Sequence, residues 1–126
     1  MKALVVDDSM TIRRIVIKAL GIVGITDATE AGDGVEAIKA LQAGGYDLIL
    51  LDWNMPKMTG IDTLRTIRQA GNKTPVIMVT TEAEKSRVIE AIKTGANDYL
   101  IKPFSPDQLA AKVKNVLGAA SAAAAG

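Results

Sequence analysis

The chain has no cysteine among its 126 residues, so neither a disulfide nor a thiolate metal centre can form. An excess of one charge is missing too: 15 Lys and Arg face 14 Asp and Glu, for a net charge of +1. That balance creates no global field for nucleic acid or an anionic membrane, and neither is expected as a partner. No apolar run approaches the ~20 residues a membrane-crossing helix requires. Near the start only Ala3-Leu4-Val5-Val6 is apolar before two acids, too short for the h-region of a secretory signal. A cytoplasmic protein is therefore expected.

What is present is enough for a core. Apolar residues make up 48% of the chain and charged residues 23%, a composition that disordered chains do not have. The length fits one domain, since domains commonly run to ~100–150 residues. We expect that domain over residues 1–118. An Ala/Gly-rich tail over 119–126 either extends the last helix or frays, and it is assigned no function.

Short β-like runs alternate with longer amphipathic segments. Strands are expected at Lys2–Val6, Thr26–Glu30, Asp47–Leu51, Pro75–Val79 and Asp98–Ile101. Continuous Val, Ile and Leu in three of them suit strands buried on both faces, and the polar Thr26–Glu30 suits an edge. Ile12, Ile15, Val16, Ala19, Leu20 and Val23 recur at helical spacing. Val35, Ile38 and Leu41 mark a second helix, and Ile61, Leu64 and Ile67 a third. Val88, Ile89 and Ile92 mark a fourth, and Leu109, Val113, Val116 and Leu117 a fifth. Thr59 is placed to cap the third helix. Gly21, Gly44-Gly45, Gly71 and Gly95 fall near helix ends. Five β-then-α units predict an α/β fold, a doubly wound parallel sheet with helices on both faces.

In such sheets chemistry collects beyond the carboxyl ends of the strands. Asp7 and Asp8 follow the first strand, Asp52 the third, Thr80 the fourth and Lys102 the fifth. The strand order 2-1-3-4-5 would make these endings converge, because neighbouring strands lie only ~4.8 Å apart; the residues alone do not dictate that order. Carboxylates crowded on one rim resist ionisation unless a cation joins them. Oxygen donors of this kind favour Mg²⁺ over Zn²⁺. With a Lys ammonium and a Thr hydroxyl opposite, such a rim could hold a transferring phosphoryl group, and Asp52 is the best placed nucleophile.

The pair Asp7-Asp8, the run Asp52-Trp53-Asn54-Met55-Pro56, Thr80, and Lys102-Pro103-Phe104 resemble the receiver domains of two-component response regulators, especially the stand-alone chemotaxis type. The likeness spans roughly residues 2–118. It implies a flavodoxin-like sheet in the order 2-1-3-4-5 with five helices. It implies a phosphoacceptor at Asp52, with Mg²⁺ held by Asp8, Asp52 and the backbone carbonyl of Asn54, and by Asp7 mostly through water. Lys102 would pair with phosphoryl oxygens, and its bond to Pro103 would be cis. Thr80 would swing toward the phosphoryl group and Tyr99 would move inward behind it. Asn54 and Glu82, each two residues beyond a key position, would tune the phosphoryl lifetime. The implied partners are a histidine kinase as donor, the flagellar motor switch as output, and a phosphatase; the protein itself would be a monomer. With no output domain after the fifth helix, signalling would proceed by binding. Ser9, Met10 and Thr81 depart from the commonest chemotaxis pattern.

Plainer readings stand beside these. Asp52 alone could cap a turn, Thr80 is an ordinary strand-end residue, and Tyr99 needs only a half-buried site. Trp53 is expected partly exposed on the rim, and Lys85, Arg87 and Lys93 on a solvated helix face. Two other functions compete. A carrier in a multi-step phosphorelay would share the chemistry but hold its phosphoryl group longer. A haloacid-dehalogenase-type phosphatase would need a proton-shuttling acid two residues after the nucleophile, where this chain has Asn54.

Overall fold

The computed structural model describes the backbone of residues 1–125 and the side chains of residues 1–118. Five strands, β1 (Lys2–Val6), β2 (Asp27–Ala31), β3 (Leu48–Leu51), β4 (Val76–Thr80) and β5 (Asp98–Ile101), alternate with five helices. The helices are α1 (Met10–Ile22), α2 (Gly34–Ala43), α3 (Gly60–Gln69), α4 (Lys85–Thr94) and α5 (Pro106–Ala125). The strands form one parallel sheet in the order β2-β1-β3-β4-β5. Among the described residues no helix is long and apolar enough to cross a membrane.

Alternation along the strands builds two cores. Leu4, Val6, Ile49, Leu51, Val76 and Met78 face α2, α3 and α4, where Ala37, Leu64, Ile67 and Ala91 meet them. Ala3, Val5, Leu48, Leu50, Ile77 and Val79 face the other way, onto Val16 and Leu20 of α1 and Leu109 and Val113 of α5. The central strands β1, β3 and β4 are therefore apolar at almost every position, as burial on both faces requires. β2 is the polar edge.

Helix starts follow local chemistry. Ser9, Asp33 and Thr59 accept hydrogen bonds from the N–H groups of Ile12, Glu36 and Asp62 and so cap α1, α2 and α3. Before α5, Ser105 Oγ accepts from Gln108 N–H at 3.1 Å while the Gln108 side chain accepts from Ser105 N–H at 2.9 Å. This reciprocal pair is a capping box, with Pro106 at the first helical position.

Three strand boundaries shift by a residue or so from expectation. The important shift is Thr80, which ends β4 rather than following it: it pairs with Ile101, and its carbonyl accepts from Lys102 N–H at 2.9 Å. Gly21 and Gly44 do not supply the left-handed residues expected of them. Gly21 lies inside α1, the turn being made at Gly24 with φ +83°, and Gly44 is extended with φ −167°. Helix α5 runs on to Ala125, through most of the expected tail, while Gly126 lies outside the described residues.

Candidate functional site

The carboxyl ends of β1, β3, β4 and β5 meet as one rim. Parallel pairing puts Val6 beside Leu51, so the residues that follow, Asp7 and Asp52, leave the sheet side by side. Asp7 N–H donates to the Ala31 carbonyl at 3.1 Å, and Asp52 N–H to the Val6 carbonyl at 3.0 Å. Both acids are buried, at 3% and 5% exposure, whereas Asp8 is exposed. One carboxylate oxygen from each of Asp7, Asp8 and Asp52 lies within 4.8 Å of the others.

Lys102 reaches into this cluster from the end of β5. Its Nζ lies 2.6 Å from Asp7 Oδ2 and 3.5 Å from Asp52 Oδ2. The Lys102–Pro103 peptide bond is cis, as the family likeness implied. Asp7 is otherwise engaged: its Oδ1 accepts from Ser9 N–H at 2.9 Å, and its backbone carbonyl from Arg13 Nη1 at 2.6 Å. Asp52 Oδ1 accepts from the N–H of Trp53 at 2.8 Å.

Burial raises the pKa of Asp52 above the ordinary carboxylate range, and the neighbouring Asp7 raises it further. The Lys102 ammonium, the Thr80 hydroxyl and the Trp53 N–H act in the opposite sense without cancelling the rise. Thr80 is fully buried, and its hydroxyl accepts from Glu82 N–H at 3.3 Å.

The β4–α4 loop ties the remaining candidates together. Asn54 Nδ2 donates to Glu82 Oε1 at 3.0 Å. Tyr99 is 8% exposed, and its hydroxyl donates to the Glu82 backbone carbonyl at 2.6 Å. The ring thus already lies inside. Burial, then the nearby Glu82 and Asp52 charges, push its pKa up to about 12. A groove of ≈ 620 Å³ lined by Met55, Lys57, Met58 and Arg65, among others, adjoins the β3–α3 loop but includes none of the three clustered acids.

Two features differ from the sequence reading. Trp53 is not a partly exposed rim residue: it is 5% exposed and belongs to the core with Tyr99. The reason is strand alternation, because Ile49, Leu51 and Trp53 share one face. Gly60, not singled out from the sequence, seats the loop that carries Asp52. A Cβ there would overlap the Asp52 carbonyl oxygen and stand 2.8 Å from Trp53 Cα, and Gly60 N–H donates to the Trp53 carbonyl at 2.8 Å. A glycine directly after a capping threonine was the available signal.

The model of the response regulator receiver domain matches residues 3–114. The chain belongs to the response regulator receiver family. This receiver is 44% identical to the chemotaxis protein CheY of Pseudomonas aeruginosa over 118 residues, covering 92% of this chain and 95% of that protein. It is 46% identical to the chemotaxis protein CheY1 of Helicobacter pylori over 121 residues, covering 94% and 98%. Among solved structures, a Francisella response regulator receiver domain superposes with a TM-score of 0.87 at 37% identity, covering 94% of this receiver and 98% of that chain. CheY4 of Vibrio cholerae gives a TM-score of 0.83 at 38% identity, covering 91% and 97%.

Proposed function

We propose that the chain is a single-domain response regulator that takes a phosphoryl group from a histidine kinase onto Asp52 and changes partner binding in response. One observation carries this reading: three carboxylates converge within 4.8 Å, with a Lys ammonium 3.5 Å from the central one. The donor set is oxygen only, which fits Mg²⁺. By likeness to the receiver family, Asp8 and Asp52 would meet the ion directly, together with the Asn54 carbonyl. Asp7 would act through water. Bound there, Mg²⁺ would supply positive charge that offsets the negative charge of the carboxylates and of a phosphoryl group.

The chain's own groups do the rest. Asp52 attacks phosphorus in line as the donor's N–P bond breaks, leaving an acyl phosphate and a free imidazole. Lys102 shifts from Asp52 to a phosphoryl oxygen, and Thr80 offers its hydroxyl to another. Because Glu82 connects Thr80, Asn54 and Tyr99, a change at Thr80 biases the β4–α4 loop between two arrangements. Asn54 and Glu82 flank the acceptor and set its exposure to water, hence the phosphoryl lifetime.

The relatives are named chemotaxis proteins, which favours chemotaxis signalling. The reading further takes the protein to be cytoplasmic and monomeric, with the flagellar motor switch as output and a phosphatase to end the signal. The protein transforms only itself and is no enzyme in the turnover sense. The dehalogenase-type reading is disfavoured by Asn54, which cannot shuttle a proton. The phosphorelay carrier differs only in route, and a phosphoryl half-life of many hours would support it.

The test combines intact mass with Trp53 fluorescence. Mg²⁺ followed by acetyl phosphate is expected to add one phosphoryl group to the parent, to change its emission, and to add nothing to Asp52→Asn. A stable phosphoryl mass elsewhere, or indifference to Mg²⁺, would refute the reading.

A further inference from the structure

Arg87 lies in the first turn of α4, and its guanidinium carbon sits 5.4 Å from the centroid of the Trp53 ring. That distance is within cation–π reach. Trp53 directly follows the acceptor Asp52, is buried, and shares a core with Tyr99. Arg87 is therefore a link from α4 to the residue next to the phosphoacceptor. Its positive charge also works against the rise in the Tyr99 pKa, so it is felt at that hydroxyl.

The two ends of α4 are held very differently. At the C-terminal end, Arg68 of α3 donates to the Gly95 carbonyl from Nε at 3.2 Å and from Nη2 at 2.8 Å. The same side chain donates to the carbonyls of Asn72 and Thr74 at 2.9 and 2.8 Å and to Asn97 Oδ1 at 3.2 Å. At the N-terminal end, Glu84 makes no side-chain capping bond. There the Arg87 side chain lies over Trp53, with Glu90 Oε1 3.4 Å from its Nη1.

We infer that Arg87 is a positioning residue that couples the acceptor strand end to α4 by holding the helix's first turn against the Trp53 ring. The signalling direction of this coupling rests on Asp52 being the phosphoacceptor, whereas the contact itself does not. A shift of the Asp52–Trp53 peptide moves the ring face under Arg87 and so alters the hold on the end of α4 that lacks a cap. The strongly bonded Gly95 end stays in place.

The test is a double-mutant cycle read by amide hydrogen exchange. In Arg87→Gln and in Trp53→Leu, the Val88 and Ile89 amides should exchange about 2- to 5-fold faster, the size of an exposed cation–π contact. The double variant should be no faster than either single one. Arg87→Lys and Trp53→Phe, which keep a cation or a ring face, should lie close to the parent and remain informative should Trp53→Leu fold poorly. Glu90→Gln, which removes the charge paired with Arg87 at 3.4 Å and with Arg65 at 3.8 Å but leaves the ring contact, should leave the exchange unchanged. Independent, multiplying effects in the cycle, parent-like exchange in Arg87→Gln, or reproduction of its effect by Glu90→Gln would overturn the inference. With acetyl phosphate and Mg²⁺, Arg87→Gln should reach the parent's phosphoryl occupancy by intact mass while its Trp53 emission change is at least halved. A full-sized emission change would also overturn it. A parent that gains no phosphoryl group on Asp52 would instead defeat the acceptor assignment, and the exchange cycle would still decide the role of Arg87.

Discussion

Asp52 gains nothing electrostatically from being ionised where it stands, since burial and Asp7 together outweigh Lys102. Its folded pKa is raised, so the folded protein holds this proton more tightly than the unfolded chain does. Stability should then fall as pH rises from the unfolded value of about 4 through the folded one. Asp52→Asn removes the charge, and we expect it to raise Tm at pH 7 in magnesium-free buffer, with the gain vanishing below about pH 4. Thermal melts across that range check the sign, and a variant less stable than the parent at pH 7 would contradict it. Tyr99 follows the same logic higher on the scale. With its pKa pushed up to about 12, it destabilises the fold as pH rises beyond the ordinary tyrosine value of about 10. Tyr99→Phe should abolish that alkaline loss and, by deleting the bond to the Glu82 carbonyl, cost about 1 kcal/mol near neutrality.

Helix α3 shows how an element can place a reactive group. Thr59 caps it, Leu64 and Ile67 bury its inner face, and Gly60 meets the loop that carries Asp52, the proposed acceptor. Thr59→Ala should cost about 1 kcal/mol in a urea titration, the usual worth of a helix cap. Gly60→Ala should cost about 1–3 kcal/mol from overpacking. Because the added methyl collides with the Asp52 carbonyl, Gly60→Ala should also slow phosphorylation by acetyl phosphate, which Thr59→Ala should not. Equal rates in both variants would show that the close approach does not matter to the acceptor. The elements themselves were largely legible: apolar runs gave strands, period-3.6 patterns gave helices, and Thr59 announced its cap. Thr80 and Trp53 were misplaced because strand ends are set by pairing with a neighbour. Nothing local says that Thr80 pairs with Ile101, or that Trp53 continues the inward face of Ile49 and Leu51.

At the scale of the molecule, the residue types at the rim could be read directly, but their meeting could not. Asp7 and Lys102 are 95 positions apart and touch at 2.6 Å only because β1, β3, β4 and β5 lie side by side in that order. The order came from likeness to a family, since alternation alone fits other windings. A ligand of the assembled rim should stabilise the whole fold. Excess Mg²⁺ is expected to raise Tm, by about 2.7 kcal/mol in stability at a hundredfold excess over Kd, and Asp8→Asn should remove most of that effect. Equal shifts in both proteins would place the ion elsewhere. We propose residues 1–118 as the self-sufficient unit, because the last buried side chain described is Val116 and the family match ends at 114. Truncation after Gly118 should change stability by no more than about 0.5 kcal/mol, as for changes away from any core or cap.

The bare backbone of Gly60 has a wider consequence. Asp52 is attached to a loop, yet its carbonyl rests against the first turn of a helix with no side chain between them, so the proposed acceptor inherits the steadiness of α3. Anything that tilts α3, even a ligand bound on its outer surface, would be transmitted to the acceptor without passing through solvent or a flexible hinge.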